Sequence, residues 1–433
     1  MEIDISKEES DYMYNIIEKI IDECGPRMPG SSQEAKGAEI IKKELEKTCD
    51  DVVIETFTFH PRANLGWINI ALILTLLSFG LFFLIRLFLE SYWPLILAAV
   101  LLLFTFIPVL LLWEEFLNYK EFIDPLFKKG ESQNVIGKIK TQGELKKIII
   151  FSGHHDSALQ FNLLKYLKLG YVIVILLGIG ILILWFLISI VFFIISLFIF
   201  LVDFAIIYDF FFYIAIWLLI IGAVPIILLF FFVSPGEKAN KVPGAVDNLS
   251  AVSVVLGLGR YLKNHRDIIP KNTEIRLASW GSEEAFLRGA FRYVEAHLEE
   301  LKKYDTVCVN MDALQQADNL MIIEKEPTTR TIFNKEVVQS LVEAGDLVNL
   351  KVKTSSFGGS SFIEKLYGQI SGGTDAAAFA KAGIKSTTIS SLSLLTIAKF
   401  YHQDTDTLDK IEKGTLENVL KLCIGYLLSE TKA

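Results

Sequence analysis

Five short polar stretches hold the residues of this sequence best suited to metal or acid–base chemistry. They are "GHHDS" (153–157), "PGAVDNLSA" (243–251), "GSEEAFLRGA" (281–290), "NMDAL" (310–314) and "YHQDTDTLDKI" (401–411). Together they offer His154, Asp156, Asp247, Glu283, Glu284, Asp312 and His402. Five of these could supply imidazole nitrogen and carboxylate oxygen to a pair of divalent ions. Zinc favours such mixed donor sets, and a two-metal site wants a carboxylate shared between ions roughly 3.5–4 Å apart. Each group also has a plainer alternative. Asp247, ahead of helical sequence, suits a helix N-cap. The Glu283–Glu284 pair suits a solvated first helical turn, and Asp312 a strand-end turn. His154–His155–Asp156 resists that treatment, because it ends the apolar run "KKIIIFSG" instead of lying on a charged face. His60, His265 and His297 sit in surface-like contexts and take no role.

The segments that must position these groups alternate between two periodicities. Residues 51–59, 134–140, 146–153, 273–281 and 304–313 read as strands, and 32–48, 246–262, 284–302, 332–347 and 411–429 carry helical spacing. Such alternation predicts an α/β three-layer sandwich on a mixed, largely parallel sheet, where sites gather at the strands' carboxyl ends. The candidate residues fall at such strand ends or in loops. The amphipathic start, "MEIDISKEESDYMYNIIEKIIDECG", reads as a surface helix and not as a secretory signal.

Two nearly charge-free blocks interrupt this pattern. Residues 66–89 and 92–113 each reach the roughly 20 residues of a spanning helix, with Trp67, Trp93 and Trp113 near their ends. The second block, 169–233, divides best near Asp203 and Asp209 into about 169–200 and 211–233, with an additional interfacial piece near 190–209 as the alternative. If the flanking soluble pieces form one domain, the number of spans is even, so four is expected. The resulting division is a discontinuous soluble domain (1–65, 114–165 and 234–433) with transmembrane hairpins at 66–113 and 166–233. Arg62, Lys120, Lys165, Lys168, Lys238 and Lys241 flank the spans on the soluble side, against Arg86, Glu90, Asp203 and Asp209 opposite. The positive-inside rule then puts the soluble domain in the cytoplasm.

Composition narrows the partners. The chain is 52% hydrophobic with mean hydropathy +0.44, which fits a lipid bilayer as one partner. A net charge of −8 argues against nucleic acid, whose phosphates need clustered Lys and Arg. The four cysteines lie far apart without ligand spacing and read as reduced thiols.

Taken in order, the five stretches resemble the signature of the clan MH dizinc exopeptidases, peptidase family M28, which includes aminopeptidase Y and secreted bacterial leucine aminopeptidases. That signature runs H-x-D, G-A-x-D-N, E-E, a strand-end D and a late H. The opening "GPRMPGSSQEAKGAEIIKKELE" (25–46) is similar as well. The resemblance implies two Zn2+ ions (Co2+ or Mn2+ as substitutes) held by His154, Asp247, Glu284, Asp312 and His402, with Asp247 bridging. It implies Glu283 as general base, Asp156 behind His154 fixing its orientation, and His155 as a bystander. "SGGTDAAAFAKAGI" (371–384) matches a further region, suggesting Asp375 as a substrate contact, although Ala376 stands where the family usually has histidine. Ala290 likewise stands where serine is common, and Tyr401 is a candidate contact to substrate or oxyanion. The implied activity is release of N-terminal residues from peptide substrates. Glutaminyl cyclisation, another amide hydrolysis, or a non-enzymatic membrane scaffold on the same fold are the alternatives. Since the second hairpin separates His154 from Asp247, the expected substrates are peptides released at, or partitioned into, the membrane.

Overall fold

The computed structural model describes residues 3–89, 93–141, 143–198, 204–356 and 368–432. The chain forms two compact units. One comprises Met1–Pro61, Lys128–Phe161 and Pro235–Ala433; the other comprises Arg62–Phe127 and Asn162–Ser234.

The first unit is built on a sheet whose described strands are β1 (Asp51–Phe59), β2 (Gly130–Ile139), β3 (Lys147–His154), β4 (Thr273–Trp280), β5 (Asp305–Asp312), β6 (Leu320–Glu326), β7 (Thr331–Ile332), β8 (Val352–Ser356) and β9 (Lys385–Ser390). They lie in the order β1-β2-β4-β3-β5-β9-β6-β7, with β8 beside β6. The four central strands β4, β3, β5 and β9 run parallel, while β1, β2, β6 and β7 join antiparallel at the flanks. Strands covered on both faces need apolar side chains at every position, not at alternate ones. β3 meets that requirement. Ile149 and Phe151 enter the core on one face, Ile148 and Ile150 the core on the other. Helices Lys7–Cys24, Ser32–Leu45, Ser250–Asn264 and Thr415–Lys432 supply the first face, and Arg288–Lys303 with Ala376–Lys381 supplies the second. The result is the expected α/β sandwich. Parallel strands must end on one edge, and that edge receives His154 from β3, the turn after β4, and Asp312 from β5.

Two sequence-based expectations about local structure need correction. Asp247 caps no helix: the regular helix starts at Ser250 with Leu249 in the N-cap position, and the Asp247 side chain turns to His154 and His402 instead. Glu283 and Glu284 do not open the following helix either. They occupy a separate short turn bounded by Ser282, Phe286 and Leu287, all at positive φ. Helical spacing in the sequence continues through both stretches, but their backbone angles exclude a regular helix there.

The second unit contains four helices long and apolar enough to cross a membrane, Ala63–Phe88, Trp93–Leu117, Asn162–Ser196 and Ala205–Phe230. Its boundaries lie outside those expected, for physical reasons. The helix from Trp93 runs on through a wider turn to Leu117, Glu115 accepts the Ile123 N–H (2.8 Å), and the Phe127 ring fills the space left by Gly66. Residues 114–127 therefore belong with the helices, not with the sheet. Asn162 likewise donates to Ser234 Oγ (3.1 Å), closing the second helix pair from 162 rather than 166. Asp209 is not in a loop: it lies within the helix Phe204–Phe230 and pairs with Arg86. The helix to Ser196 and the one from Phe204 take up the described part of 190–209, where an interfacial piece was the alternative. Asp203 and Glu90 lie outside the described residues. Inside this unit Trp185 stacks on Phe79 (ring centroids 4.3 Å apart) and donates to Ser78 Oγ, and Thr105 bonds Ser189.

One contact sets the shape of the turn after β4. The Asn134 side chain on β2 accepts from the Gly281 N–H (3.1 Å) and donates to the Gly289 carbonyl (2.9 Å). A Cβ on Gly289 would lie 2.2 Å from the Gly281 carbonyl oxygen. Gly289→Ala is expected to cost about 1–3 kcal/mol through overpacking, read as a lowered unfolding midpoint of the detergent-purified protein. An unchanged midpoint would contradict this close approach.

Candidate metal centre

The loop after β3, the segment before helix Ser250–Asn264, the turn after β4, the end of β5 and the loop at 401–406 converge on one buried cluster. His154 Nε2 lies 3.2 Å from Asp247 Oδ1 and 3.6 Å from Glu283 Oε2. His402 Nε2 lies 3.2 Å from the other oxygen, Asp247 Oδ2, and 3.3 Å from Glu284 Oε1. Asp247 thus turns one oxygen to each imidazole. Ligand atoms of His154, Glu283 and Asp312 all lie within 4.8 Å of one another, as do those of His154, Asp247 and Glu284.

The donor set fits divalent metal better than it fits a hydrogen-bonded cluster. Five carboxylates (Asp156, Asp247, Glu283, Glu284 and Asp312) surround two imidazoles; all are buried except Glu284, which is partly exposed. Both ring nitrogens of His154 face carboxylate oxygens, at 3.3 Å (Asp156) and 3.2 Å (Asp247), and His402 Nδ1 has no hydrogen-bond partner among the described residues. Tetrahedral zinc with bonds of about 2.0–2.2 Å spaces its ligand atoms roughly 3.3–3.5 Å apart, close to the separations found here. The electrostatics agree. Burial opposes ionisation of the rings, yet Glu284 and Asp247 push His402 up to about 10. His154 is likewise raised, by Glu283, Asp156 and Asp247 acting against burial. Burial raises Glu283 well above the ordinary carboxylate range; His154 opposes this, and Asp375, Glu284 and Asp312 add to it. A cluster so short of positive charge is one that a bound dication stabilises.

A second layer of polar groups fixes the first. Asp156 accepts the backbone N–H groups of Glu283 (Oδ1, 3.1 Å) and Glu284 (Oδ2, 3.0 Å), and its Oδ1 lies 3.3 Å from His154 Nδ1. One carboxylate therefore sets both the imidazole and the two-glutamate turn, the arrangement that keeps metal ligands oriented. Asn248 donates to the Met311 carbonyl (3.0 Å) and accepts from the Ala313 N–H (3.2 Å), gripping the backbone on both sides of Asp312.

Three further buried charged groups carry no motif in the sequence. Asp406 is fully buried and accepts the N–H groups of Val246 (2.8 Å) and Asp247 (3.2 Å); burial and then Asp247 push it up to about 8. Its only signal was a place four residues after His402 in an acidic turn whose Asp404 and Asp409 are exposed. Glu34 is also fully buried, accepts from Gly30 N, Ser132 Oγ and both Ser282 donors, and is pushed up to about 8 by burial and Asp156. Arg27, equally buried, donates to backbone carbonyls.

The remaining predicted residues are placed as follows. His155 faces away, with Nδ1 2.9 Å from Ser279 Oγ, and burial lowers it to about 4. Asp375 is fully buried at the start of helix Ala376–Lys381, yet it does not cap that helix, and neither carboxylate oxygen has a hydrogen-bond partner among the described residues. Its backbone is held by Glu326, which accepts from Thr374 N (3.1 Å) and Thr374 Oγ1 (2.5 Å). Tyr401 is half-buried, its ring stacked on His402 with centroids 3.8 Å apart.

Comparison with known proteins gives consistent results. Residues 232–427 match the model of peptidase family M28. Aminopeptidase YwaD of Bacillus subtilis (strain 168) is 26% identical over 196 residues, 44% of this chain and 38% of that one, so the match spans well under half of the relative's length. An aminopeptidase from Aneurinibacillus sp. strain AM-1 shares the fold at TM-score 0.51 and 15% identity, covering 97% of this chain and 93% of its own. BSAP, a zinc aminopeptidase from Bacillus subtilis, does so at TM-score 0.52 and 16% identity over 96% and 94%. A glutaminyl cyclase of Fimbriiglobus ruber gives TM-score 0.54 and 12% identity over 99% and 97%. The matched stretch, 232–427, is similar to peptidase family M28, and the sandwich is shared with solved aminopeptidase structures.

Proposed function

We propose that the chain is a zinc aminopeptidase of the membrane, releasing N-terminal residues from peptides. The observation that carries this reading is the Asp247 carboxylate, which turns one oxygen to His154 and the other to His402. In this reading His154, Asp312 and Asp247 hold one ion, and His402, Glu284 and Asp247 hold the other. When bound, the two zinc ions supply Lewis acidity toward the scissile carbonyl and the attacking water. Glu283 then takes a proton from that water and gives it to the leaving amine, so that one water and one peptide bond become an acid and an amine. Its position, 3.6 Å from His154 and beside Glu284, places a carboxylate next to the proposed metal site without requiring it as a ligand. Asp156 holds the two-glutamate turn still while this happens. Asp375 and Tyr401 are the proposed substrate contacts. We further propose that the sheet unit lies in the cytoplasm, as the six flanking Lys and Arg residues suggest, and that the substrates are membrane-associated peptides.

Glu283→Gln is expected to keep both zinc ions while the rate of amino-acid release from unblocked peptides falls by roughly 10²–10⁴-fold. Cyclisation of N-terminal glutaminyl peptides without residue release would point instead to cyclase chemistry. Turnover of hydrophobic peptides in liposomes is expected to exceed that of soluble ones of equal length, and equal turnover would remove the case for membrane substrates.

The adjacent histidines should separate cleanly. His154→Gln should lose zinc, whereas His155→Gln should keep it with activity within a few-fold. His155 has its own signature in stability. Its folded value of about 4 lies below the ordinary 6.5, so the unfolded chain binds the extra proton between them. Stability from this group is present above pH 6.5 and is lost as pH falls towards 4, by up to roughly 3 kcal/mol. Unfolding midpoints measured across that window should fall less steeply in His155→Gln than in the parent.

A further inference from the structure

The second pair of apolar helices is inserted between two groups of one cluster: His154 precedes residues 162–234 and Asp247 follows them. Something in the sheet unit must hold the loop before the insertion against the loop after it. Arg27 is placed to do so. Its Nε donates to the His155 carbonyl (2.7 Å), beside His154, and its Nη2 to the Gly244 carbonyl (3.4 Å), three residues before Asp247. Nη1 donates to the Gly25 carbonyl (2.9 Å), tying the guanidinium to its own loop. The backbone joins in. Arg27 N–H donates to Ser157 Oγ (2.8 Å), Ser157 N–H donates to the Arg27 carbonyl (3.0 Å), and Met28 N–H donates to Asn240 Oδ1 (3.2 Å). Segment 25–28 thus grips 155–157 on one side and 240–244 on the other.

The packing at this clasp leaves little slack. Gly244 sits at φ +66°, and a Cβ there would meet Ser157 Cβ at 2.8 Å, Arg27 Nη2 at 3.0 Å and the Asp247 carbonyl oxygen at 2.7 Å. Arg27 is fully buried and has no salt bridge among the described residues. A buried cation is expensive unless its donors are satisfied and negative charge lies nearby. Here Nε, Nη1 and Nη2 each donate to a carbonyl, and the Asp156 carboxylate lies near enough to favour the cation. Asp156 also fixes His154 and the glutamate turn, and Asp406 fixes the Asp247 backbone. Only a guanidinium offers donors along three fixed directions in one plane; an ammonium is a compact point charge.

We propose that Arg27 is a positioning residue for the metal pair, setting the His154–Asp247 separation by bridging the loops on either side of the inserted helices. The inference rests on the zinc reading above and is tested on the full-length protein in detergent. Zinc affinity is measured by competition with a chromophoric chelator for the parent, Arg27→Met and Arg27→Lys, alongside unfolding midpoints. The Co2+-substituted proteins are compared by their visible d–d absorption, which reports ligand geometry and which loss of stability alone does not move. Affinity for at least one ion is expected to fall roughly 10–100-fold in Arg27→Met, with a smaller loss and a shifted Co2+ band in Arg27→Lys. Should Arg27→Met fail to fold, the Lys variant, which keeps the charge but not the fork, decides. Variants that bind zinc as tightly as the parent with an unchanged Co2+ spectrum would overturn the positioning role alone. A parent chain that binds no zinc would overturn the metal reading, and the role of Arg27 with it.

Discussion

The structure turns on one carboxylate. Asp247 faces two imidazoles with its two oxygens, and the elements around it exist in the form that makes this possible. Its backbone is non-helical so that the side chain enters the cluster instead of capping the helix behind it. Asp406 holds its N–H, Asn248 holds the end of β5 next to it, and Ser250 begins the regular helix only after the geometry is set. Unmet charge at the cluster's centre, and not apolar burial, distinguishes this edge of the sheet from the well-packed sandwich beneath.

The layer behind the cluster works by sharing groups. Asp156 serves His154 and both glutamates of the next turn; Glu34 serves Gly30, Ser132 and Ser282; Asn134 serves Gly281 and Gly289. Each polar side chain bonds two or more groups, including backbone more than a hundred residues away in sequence. Such sharing fixes relative position more firmly than pairwise contacts, since displacing one segment leaves buried donors of another unsatisfied.

Much of this was legible in the sequence, and the division between what was and what was not has a physical basis. Edge strand β1 falls on the residues expected from its β-branched and aromatic run, and β3 and β5 end at His154 and Asp312 because doubly buried strands need long apolar runs and polar residues stop them. His154, Asp156, Glu283, Glu284 and Asp312 were legible because they stand at the ends of such runs, whereas Asp247 and His402 were legible only through the ordered resemblance. Strands β8 ("VKTSS") and β9 ("KSTTIS") were not, being short and rich in Ser and Thr without clear alternation. Arg27, Glu34 and Asp406 were hidden for another reason. A single charged residue in a loop has no periodicity, and its burial is created by segments far away in sequence. The limits of the helical unit were misplaced where polar residues such as Glu115 turn inward to bond their own backbone.

The sheet unit is assembled from three separated stretches of chain, and their order fixes a sequence of events. A ribosome makes His154 first, then the second pair of apolar helices, then Asp247, and finally Glu284, Asp312 and His402. At ordinary elongation rates the interval between His154 and Asp247 is on the order of ten seconds. During that interval all four apolar helices have been synthesised, and the carboxylate that joins the two imidazoles does not yet exist. The cluster is therefore completed only on a chain whose hydrophobic segments are already made, which times its maturation to follow theirs.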